Sequence, residues 1–372
     1  MAAVKPRVVH ITTLHPVFDI RIFHKECVSL AAAGYDVTLI APHDRDEVVH
    51  GVNIVAIPRY GNRLLRMTLG GWQALRKALR LNAAVYHFHD PELLPWMAQL
   101  KRRASVIYDV HENLPKAILT KSWIPAFLRP MVASLSRQAE RNYALGMQLV
   151  LAETSYEADY DWATTTTVLN MPKVEELLQI DEKKHSRPTV GYLGAVNASR
   201  GSLTTLRALG RLKASGLEVA FECLGPISDS HRAELQQLAS VLGISANCPG
   251  YTSAEDGWRA IARCHAGLAL LHPQPNYIES YPTKVFEYMA LGLPTIASNF
   301  PLYRELVEGS LCGICVDPLD DLAIAEAIRT AVGNPQQAAS MGANGRDAVK
   351  QHYSWIMEAG KLLTLYTELL LN

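Results

Sequence analysis

The chain has 372 residues, 49% hydrophobic and 19% charged, an ordinary globular composition with room for two domains of about 150–200 residues each. Lys plus Arg and Asp plus Glu both number 36, and this balance argues against a nucleic-acid binder, which needs surplus cation facing phosphate. No apolar run approaches the ~20 residues that span a bilayer, the N-terminal MAAVKPRVVHITTLHP lacks a signal-peptide core, and six scattered cysteines make no disulfide framework; a cytosolic enzyme or binding protein is expected.

In chain order, Val8–Thr12 reads as a buried strand, Ile20–Ala33 as a helix stopped at Gly34, and Val37–Ala41 as the next strand. Asn53–Ile57 follows as strand and Leu64–Leu81 as helix. Val85–Phe88, Val106–Val110, Leu149–Ala152 and Thr167–Leu169 complete the strand set. Near-continuous apolar strands separated by helices predict a parallel sheet covered on both faces. Asn170-Met171-Pro172 breaks the pattern, and the charged stretch Lys173–Pro188 reads as a linker without a strand. Alternation then restarts with strand Val190–Leu193, helix Leu203–Ala214, strand Val219–Leu224 and helix Asp229–Leu242. Further strands fall at Gly267–Leu271, Pro294–Ala297 and Gly313–Val316, before two helices near 333–350 and 354–371. The expectation is an α/β chain of two Rossmann-like, doubly wound domains, 1–170 and 188–352, with a linker at 171–187 and a terminal helix at 353–372. Ligands of such folds bind at the carboxyl ends of the strands, here in a cleft between the two sheets.

The most informative stretch is Glu279-Ser-Tyr-Pro-Thr-Lys-Val-Phe-Glu287. Pro282 suits the first residue of a helix, where its missing N–H costs nothing. Glu279 then lies in the preceding loop and Glu287 about one and a half turns into the helix. Amides around Tyr281, Thr283 and Lys284 make an anion site flanked by two carboxylates. A sugar nucleotide needs that combination: amides for diphosphate, acceptor oxygens for hydroxyls. A plain N-capped helix with surface acids has the same pattern.

With the continuation EYMALGLPTIAS, this segment resembles the retaining GT-B glycosyltransferases of family 4, also called group 1. GYLGAVNASRG (191–201), FECLGP (221–226) and NCPGY (247–251) resemble the family's second-domain loop and its two following strand-end turns. In the first domain DIRIFHKECVSLAAAGYDVTLIAP (19–42), YDVHEN (108–113) and the VLNMP break (168–172) are also similar, as is the terminal YSWIMEAGKLLTLYTELL, which would cross back to the first domain. The resemblance implies that Glu287 binds the donor ribose, that Glu279 contacts the transferred sugar, and that Arg200 neutralises the leaving diphosphate. Lys284, Thr283, Tyr281, Gly194, Gly225 and Tyr251 complete the implied donor site. His111 would contact donor sugar or acceptor, with Glu112 orienting it, and His15, Asp19 and Arg21 would stand on the acceptor side. One departure is Ala195, where many relatives carry a second basic residue; Lys284 is the nearest substitute. His87-Phe-His89-Asp90 reads as structure more than chemistry.

Three other motifs mislead. Asp44-Arg45-Asp46 has the metal-binding spacing of the other main glycosyltransferase fold, but a GT-B site handles diphosphate with helix dipole and cations, so neither metal nor cofactor is expected. Cys312-Gly-Ile-Cys315 has redox spacing yet enters a strand. His111-Glu112 begins like a zinc-protease motif, but Pro115 stands where the second His must be.

Residues 1–170 carry a net charge of +4 and the remainder −4. The excess is local: 61–80 hold five Arg/Lys and no acid, and 114–137 hold four and no acid, interleaved with Trp123, Ile124, Phe127 and Leu128. Such helices suit an anionic membrane interface, and solvated helix faces are the alternative. The expected function is transfer of a hexose from a UDP- or GDP-linked sugar to a saccharide acceptor carried on a lipid, by a cytoplasmic protein peripheral to the inner face of the cell membrane. A GT-B nucleotide-sugar epimerase and a non-catalytic scaffold are the rival readings.

Overall fold

The computed structural model describes residues 5–121 and 124–371. The chain divides into two compact units. One comprises the chain up to Asn170 together with the segment from Ile356 onwards; the other is Met171–Trp355.

The first unit is built on an eight-stranded sheet: β1 (Arg7–Ile11), β2 (Asp36–Pro42), β3 (Glu47–Val49), β4 (Val52–Ile57), β5 (Val85–Phe88), β6 (Ser105–Val110), β7 (Gln148–Leu151) and β8 (Thr164–Thr167), in the order β3-β4-β2-β1-β5-β6-β7-β8. All pairs are parallel except β3–β4. That hairpin turns through His50 and Gly51, both at positive φ, the backbone that a tight two-residue turn requires. Val9, Ile11, Phe88, Tyr108 and Leu149 form the core of one face. The strand order reverses at β1 and β5, and in doubly wound sheets the crevice at that reversal is the ligand position.

The second unit carries six parallel strands: β9 (Thr189–Leu193), β10 (Ala220–Leu224), β11 (Ala246–Gly250), β12 (Ala266–Ala269), β13 (Thr295–Ser298) and β14 (Gly313–Val316). Their order is β11-β10-β9-β12-β13-β14, which is the Rossmann order with its reversal at β9 and β12. Val190, Leu206, Leu209, Phe221, Leu268 and Ile328 lie in its core.

Several elements differ from the sequence reading. The helix after β1 opens with a π-helical segment, Ile20–Cys27, before Val28–Ala32. β8 falls at Thr164–Thr167, not Thr167–Leu169: the Val168 amide still donates to the Leu151 carbonyl of β7, but the Val168 carbonyl accepts from Arg21 and the Leu169 amide donates to Glu358. The stretch read as a linker holds a short helix, Val174–Leu178, whose Val174 and Leu177 are buried. The helix near 333–350 is Pro335–His352, and a further helix, Asp321–Gly333, which the sequence reading lacks, precedes it across the Asn334 cap and the proline. Two edge strands, β3 and β11, are too short and too polar to show as apolar runs. The final helix, Trp355–Leu371, sends the Tyr366 hydroxyl to His10 and His87 of the first unit.

Candidate functional site

In the first unit, the carboxyl ends of β1, β5 and β6 deliver a polar network. Asp90, fully buried, accepts from the hydroxyls of Thr12 and Thr13 and from the amides of Thr13 and Leu14. It thereby fixes the loop that follows β1. Asp19 caps the next helix, accepting from the amides of Arg21 and Ile22 at 2.8 and 2.9 Å. Burial alone would raise its pKa, but the His15 contact and these amides hold it well below the usual carboxylate range. His15 is raised in return: burial pulls it down, and Asp19 with Asp90 more than offsets that. The His15 ring lies 5.0 Å from that of His111, so these two expected residues do come together.

His111 is oriented by Asp109, not by Glu112. Its Nε2 lies 2.9 Å from Asp109 Oδ2, while Glu112 is exposed. His111 and Glu112 both lie just past the end of β6 at Val110, where the chain bends. Arg21 also differs from expectation. Its guanidinium is buried, bound bidentately to Asp109 at 2.9 and 3.0 Å and donating to the Val168 carbonyl. It positions Asp109 and does not face an acceptor. Desolvation would push the Asp109 carboxyl up; Arg21, His111 and His89 instead hold it far down. Its neighbour Glu26 is driven well up, first by burial and then by Asp109. His89 is held at about 4 by burial.

In the second unit the site stands at the ends of β9 and β12. Gly194 has φ +140°, and a Cβ there would fall 2.3 Å from Lys284 Cε and 2.7 Å from Nζ. The glycine is what lets the lysine lie across the backbone at the strand end. Gly225 serves packing: a Cβ on it would fall 2.1 Å from the Gly194 carbonyl oxygen, so it keeps the two strand-end loops in contact. Lys284 Nζ is 5.8 Å from the centre of the Tyr192 ring, and the Arg200 guanidinium is 5.5 Å from that of Tyr277. The Lys284 ammonium is pulled below an ordinary lysine by burial first and by Arg200 second, with Glu287 opposing. Arg200 Nε is buried with no hydrogen-bond partner. Ala195 is exposed, and its carbonyl accepts from Tyr192 at 2.8 Å.

The helix Thr283–Ala290 has Pro282 as its cap residue and not its first turn. Glu287 is half-buried on that helix, and Glu279 is exposed just after the short helix Pro275–Ile278. Tyr281 stacks against Phe286 with ring centres 6.2 Å apart, and Thr283 is exposed. Tyr251 is 82% exposed on the loop after β11. Sequence reasoning missed Tyr192, Tyr277 and Asp109. For Asp109 the signal existed, two residues before His111 on a strand; for Tyr192 and Tyr277 nothing in the local pattern separates them from core aromatics.

The misleading motifs are absorbed by structure. Asp46 accepts from the Ala56 amide at 2.7 Å, and burial pushes the Cys312 and Cys315 thiols up to about 12. The basic surface is smaller than the composition implied. Arg63 and Arg66 pair with Glu92, Lys116 and Arg137 with Asp159, and Arg129 donates to the Ile124 carbonyl. Ile124 is buried, and Leu128 packs beside it against Ile118 and Ala133. Trp123 lies outside the described residues. Phe127, Leu64 and Trp72 are exposed, and among the described residues Arg76, Lys77 and Arg80 have no carboxylate partner.

Comparison with known proteins matches both units. Residues 173–348 fit the family model described as Glycosyl transferases group 1, and residues 21–161 fit Glycosyltransferase Family 4. Alpha-D-kanosaminyltransferase of Streptomyces kanamyceticus is 22% identical over 217 residues, covering 58% of this chain and 53% of that protein. The chain spans about half, or less, of the length of the curated relatives it matches. Sucrose-phosphate synthase of Thermosynechococcus elongatus superposes with a TM-score of 0.75 at 17% identity, covering 98% of this chain and 99% of that one. HepE of Anabaena, solved in complex with UDP, gives 0.71 at 14% identity, covering 98% and 100%. Both likenesses establish the two-sheet fold.

Proposed function

Because this chain belongs to the group 1 glycosyltransferases of family 4, we propose that it moves a hexose from a UDP- or GDP-linked sugar to a saccharide acceptor, with retention at the anomeric carbon. The observation that carries the reading is Lys284, laid across Gly194 at the strand-order reversal of the second unit and repelled by Arg200. A diphosphate relieves that repulsion and makes charge-assisted hydrogen bonds to both. HepE has been solved with UDP and with UDP-glucose, which supports a nucleotide-sugar donor.

In this reading Glu287 accepts from the ribose hydroxyls and Glu279 from hexose hydroxyls. Arg200 and Lys284 hold the diphosphate, with Lys284 supplying the cation that Ala195 lacks. The bond from the anomeric carbon to the diphosphate oxygen breaks, its electron pair staying on the oxygen. The acceptor hydroxyl oxygen bonds to that carbon on the same face, and its proton passes to the departing phosphate oxygen. His111, held by Asp109, contacts donor sugar or acceptor, and no metal takes part at the diphosphate.

Calorimetry on Glu287→Ala tests the assignment. Loss of hydrogen bonds from two hydroxyls to a carboxylate costs about 2–4 kcal/mol in nucleotide affinity, whereas Glu279→Ala lowers turnover more than affinity. Unchanged nucleotide binding in the Glu287 variant refutes the donor site. Acceptor-independent release of an epimerised sugar would replace transferase by epimerase, and nucleotide binding without turnover would leave a scaffold.

A lipid-linked acceptor at an anionic membrane surface is the accompanying proposal. Its support is the exposed Phe127, Leu64 and Trp72 with Arg76, Lys77 and Arg80. At about 1 kcal/mol per cation near an anionic surface, binding is weak and salt-sensitive. Sedimentation with anionic liposomes at low salt should be lost on replacing the three cations by Glu; equal partition to neutral liposomes refutes it.

A further inference from the structure

Three histidines of the first unit face one point. β1 and β5 pair with His10 opposite His87, and His89, two residues on, returns to the same face. Glu26 reaches that point from the helix Ile20–Cys27. All four side chains are fully buried, and each offers a donor atom within 4.8 Å of the other three. His10 Nδ1 is 3.0 Å from His89 Nε2, and Glu26 Oε2 is 3.8 and 3.9 Å from these two nitrogens. Tetrahedral zinc with bonds of about 2.0–2.1 Å separates its ligands by about 3.3 Å, a value these distances bracket. Glu26 Oε2 and His87 Nε2 are buried without a hydrogen-bond partner, while Glu26 Oε1 lies 3.1 Å from Arg21 Nε. Polar atoms in a satisfied core rarely stand so, and an ion is one of the few things that explains them.

We propose that His10, His87, His89 and Glu26 form a closed structural site for a divalent transition-metal ion, with zinc favoured by three imidazoles and one carboxylate. The remaining nitrogen of each ring is already held from outside. His10 Nε2 and His87 Nδ1 lie 3.0 and 2.9 Å from the Tyr366 hydroxyl, and His89 Nδ1 lies 3.1 Å from Asp109. Outer partners of this kind set the tautomer and orientation of metal-bound histidines. An ion needs Glu26 as a carboxylate and each histidine with its inward nitrogen unprotonated, so any proton held there is released on binding. All four ligands come from the protein, which leaves no open position for catalysis. The ion ties two strands to the helix after β1 and, through Tyr366, to the last helix. The proposal is independent of the donor reading, since no residue of the second unit takes part.

The test is elemental analysis of the tag-free, full-length protein purified from zinc-replete cells. Equimolar zinc that resists brief EDTA is expected, with loss of most of it in Glu26→Gln and in His87→Gln. His111→Gln should keep the metal, because it belongs only to the neighbouring His89–Asp109–His111 group. Growth in cobalt should give the intense visible absorption of four-coordinate Co²⁺, a readout on the unmutated protein that stands even where a variant does not fold. A folded protein with neither zinc nor the cobalt spectrum overturns the proposal, as does metal that follows His111 and ignores Glu26.

Discussion

Replacing Lys284 by Met keeps an unbranched chain of similar length across Gly194 and removes only the charge. In the free protein that charge is unfavourable, because the ammonium is largely buried and lies beside Arg200. Its loss should leave folding stability unchanged or raise it, by no more than about 1 kcal/mol for a partly screened like-charge contact. With a nucleoside diphosphate bound the sign reverses. The ammonium then makes a charge-assisted hydrogen bond worth about 1.5–3 kcal/mol, so affinity should fall roughly 10- to 150-fold. Thermal unfolding and calorimetry on the same preparation measure the two quantities. The pH dependence adds a check: Lys284 titrates below an ordinary lysine, so wild-type diphosphate affinity should begin to fall at lower pH than an unperturbed lysine predicts. In Lys284→Met that limb disappears. Equal affinity in the two proteins, or a stability loss that accounts for the affinity loss, refutes the assignment of Lys284 as the cation that compensates for Ala195.

Arg200→Ala should lower kcat about 10²–10³-fold, the scale of one lost transition-state donor, and wild-type turnover should survive brief EDTA treatment; a strict Mn²⁺ or Mg²⁺ requirement would point to Asp44 and Asp46 instead. Asp90→Ala strands the buried amides of Thr13 and Leu14 and the hydroxyls of Thr12 and Thr13, and should cost about 3 kcal/mol or more in chemical denaturation. His15 titrates above its usual 6.5, so its contribution to the order of the Asp19-capped helix is full below that value and lost as pH rises through the raised one. Amide protection at Arg21 and Ile22 should therefore decline on the alkaline side, and His15→Gln should flatten that decline. Asp19, held low, contributes above its ordinary value and loses that contribution only in strong acid.

Sequence alone determined the α/β class and most strands, and singled out the residues around Glu279 and Glu287, because those signals are local. A run of buried β-branched residues, a proline before a helix and two acids flanking it are legible without knowing what they touch. Strand ends at Leu193 and Ile11 could be placed within a residue or so for the same reason. Which side chains meet is a different matter. Glu112 looked like the partner of His111 because it is adjacent, yet the chain leaves the strand after Val110 with Glu112 exposed and His111 folded back onto Asp109. Arg21 looked available to a ligand until the tertiary structure paired it with an aspartate 88 positions away. The basic stretches promised nine cations, and ion pairs with Glu92 and Asp159 withdrew four of them. His10, Glu26, His87 and His89 are scattered through 80 residues of sequence and share one point only because β1 and β5 are neighbours in register. Composition and periodicity report what a segment is; contact between segments depends on strand order and register, which the whole chain decides by burying its apolar faces together.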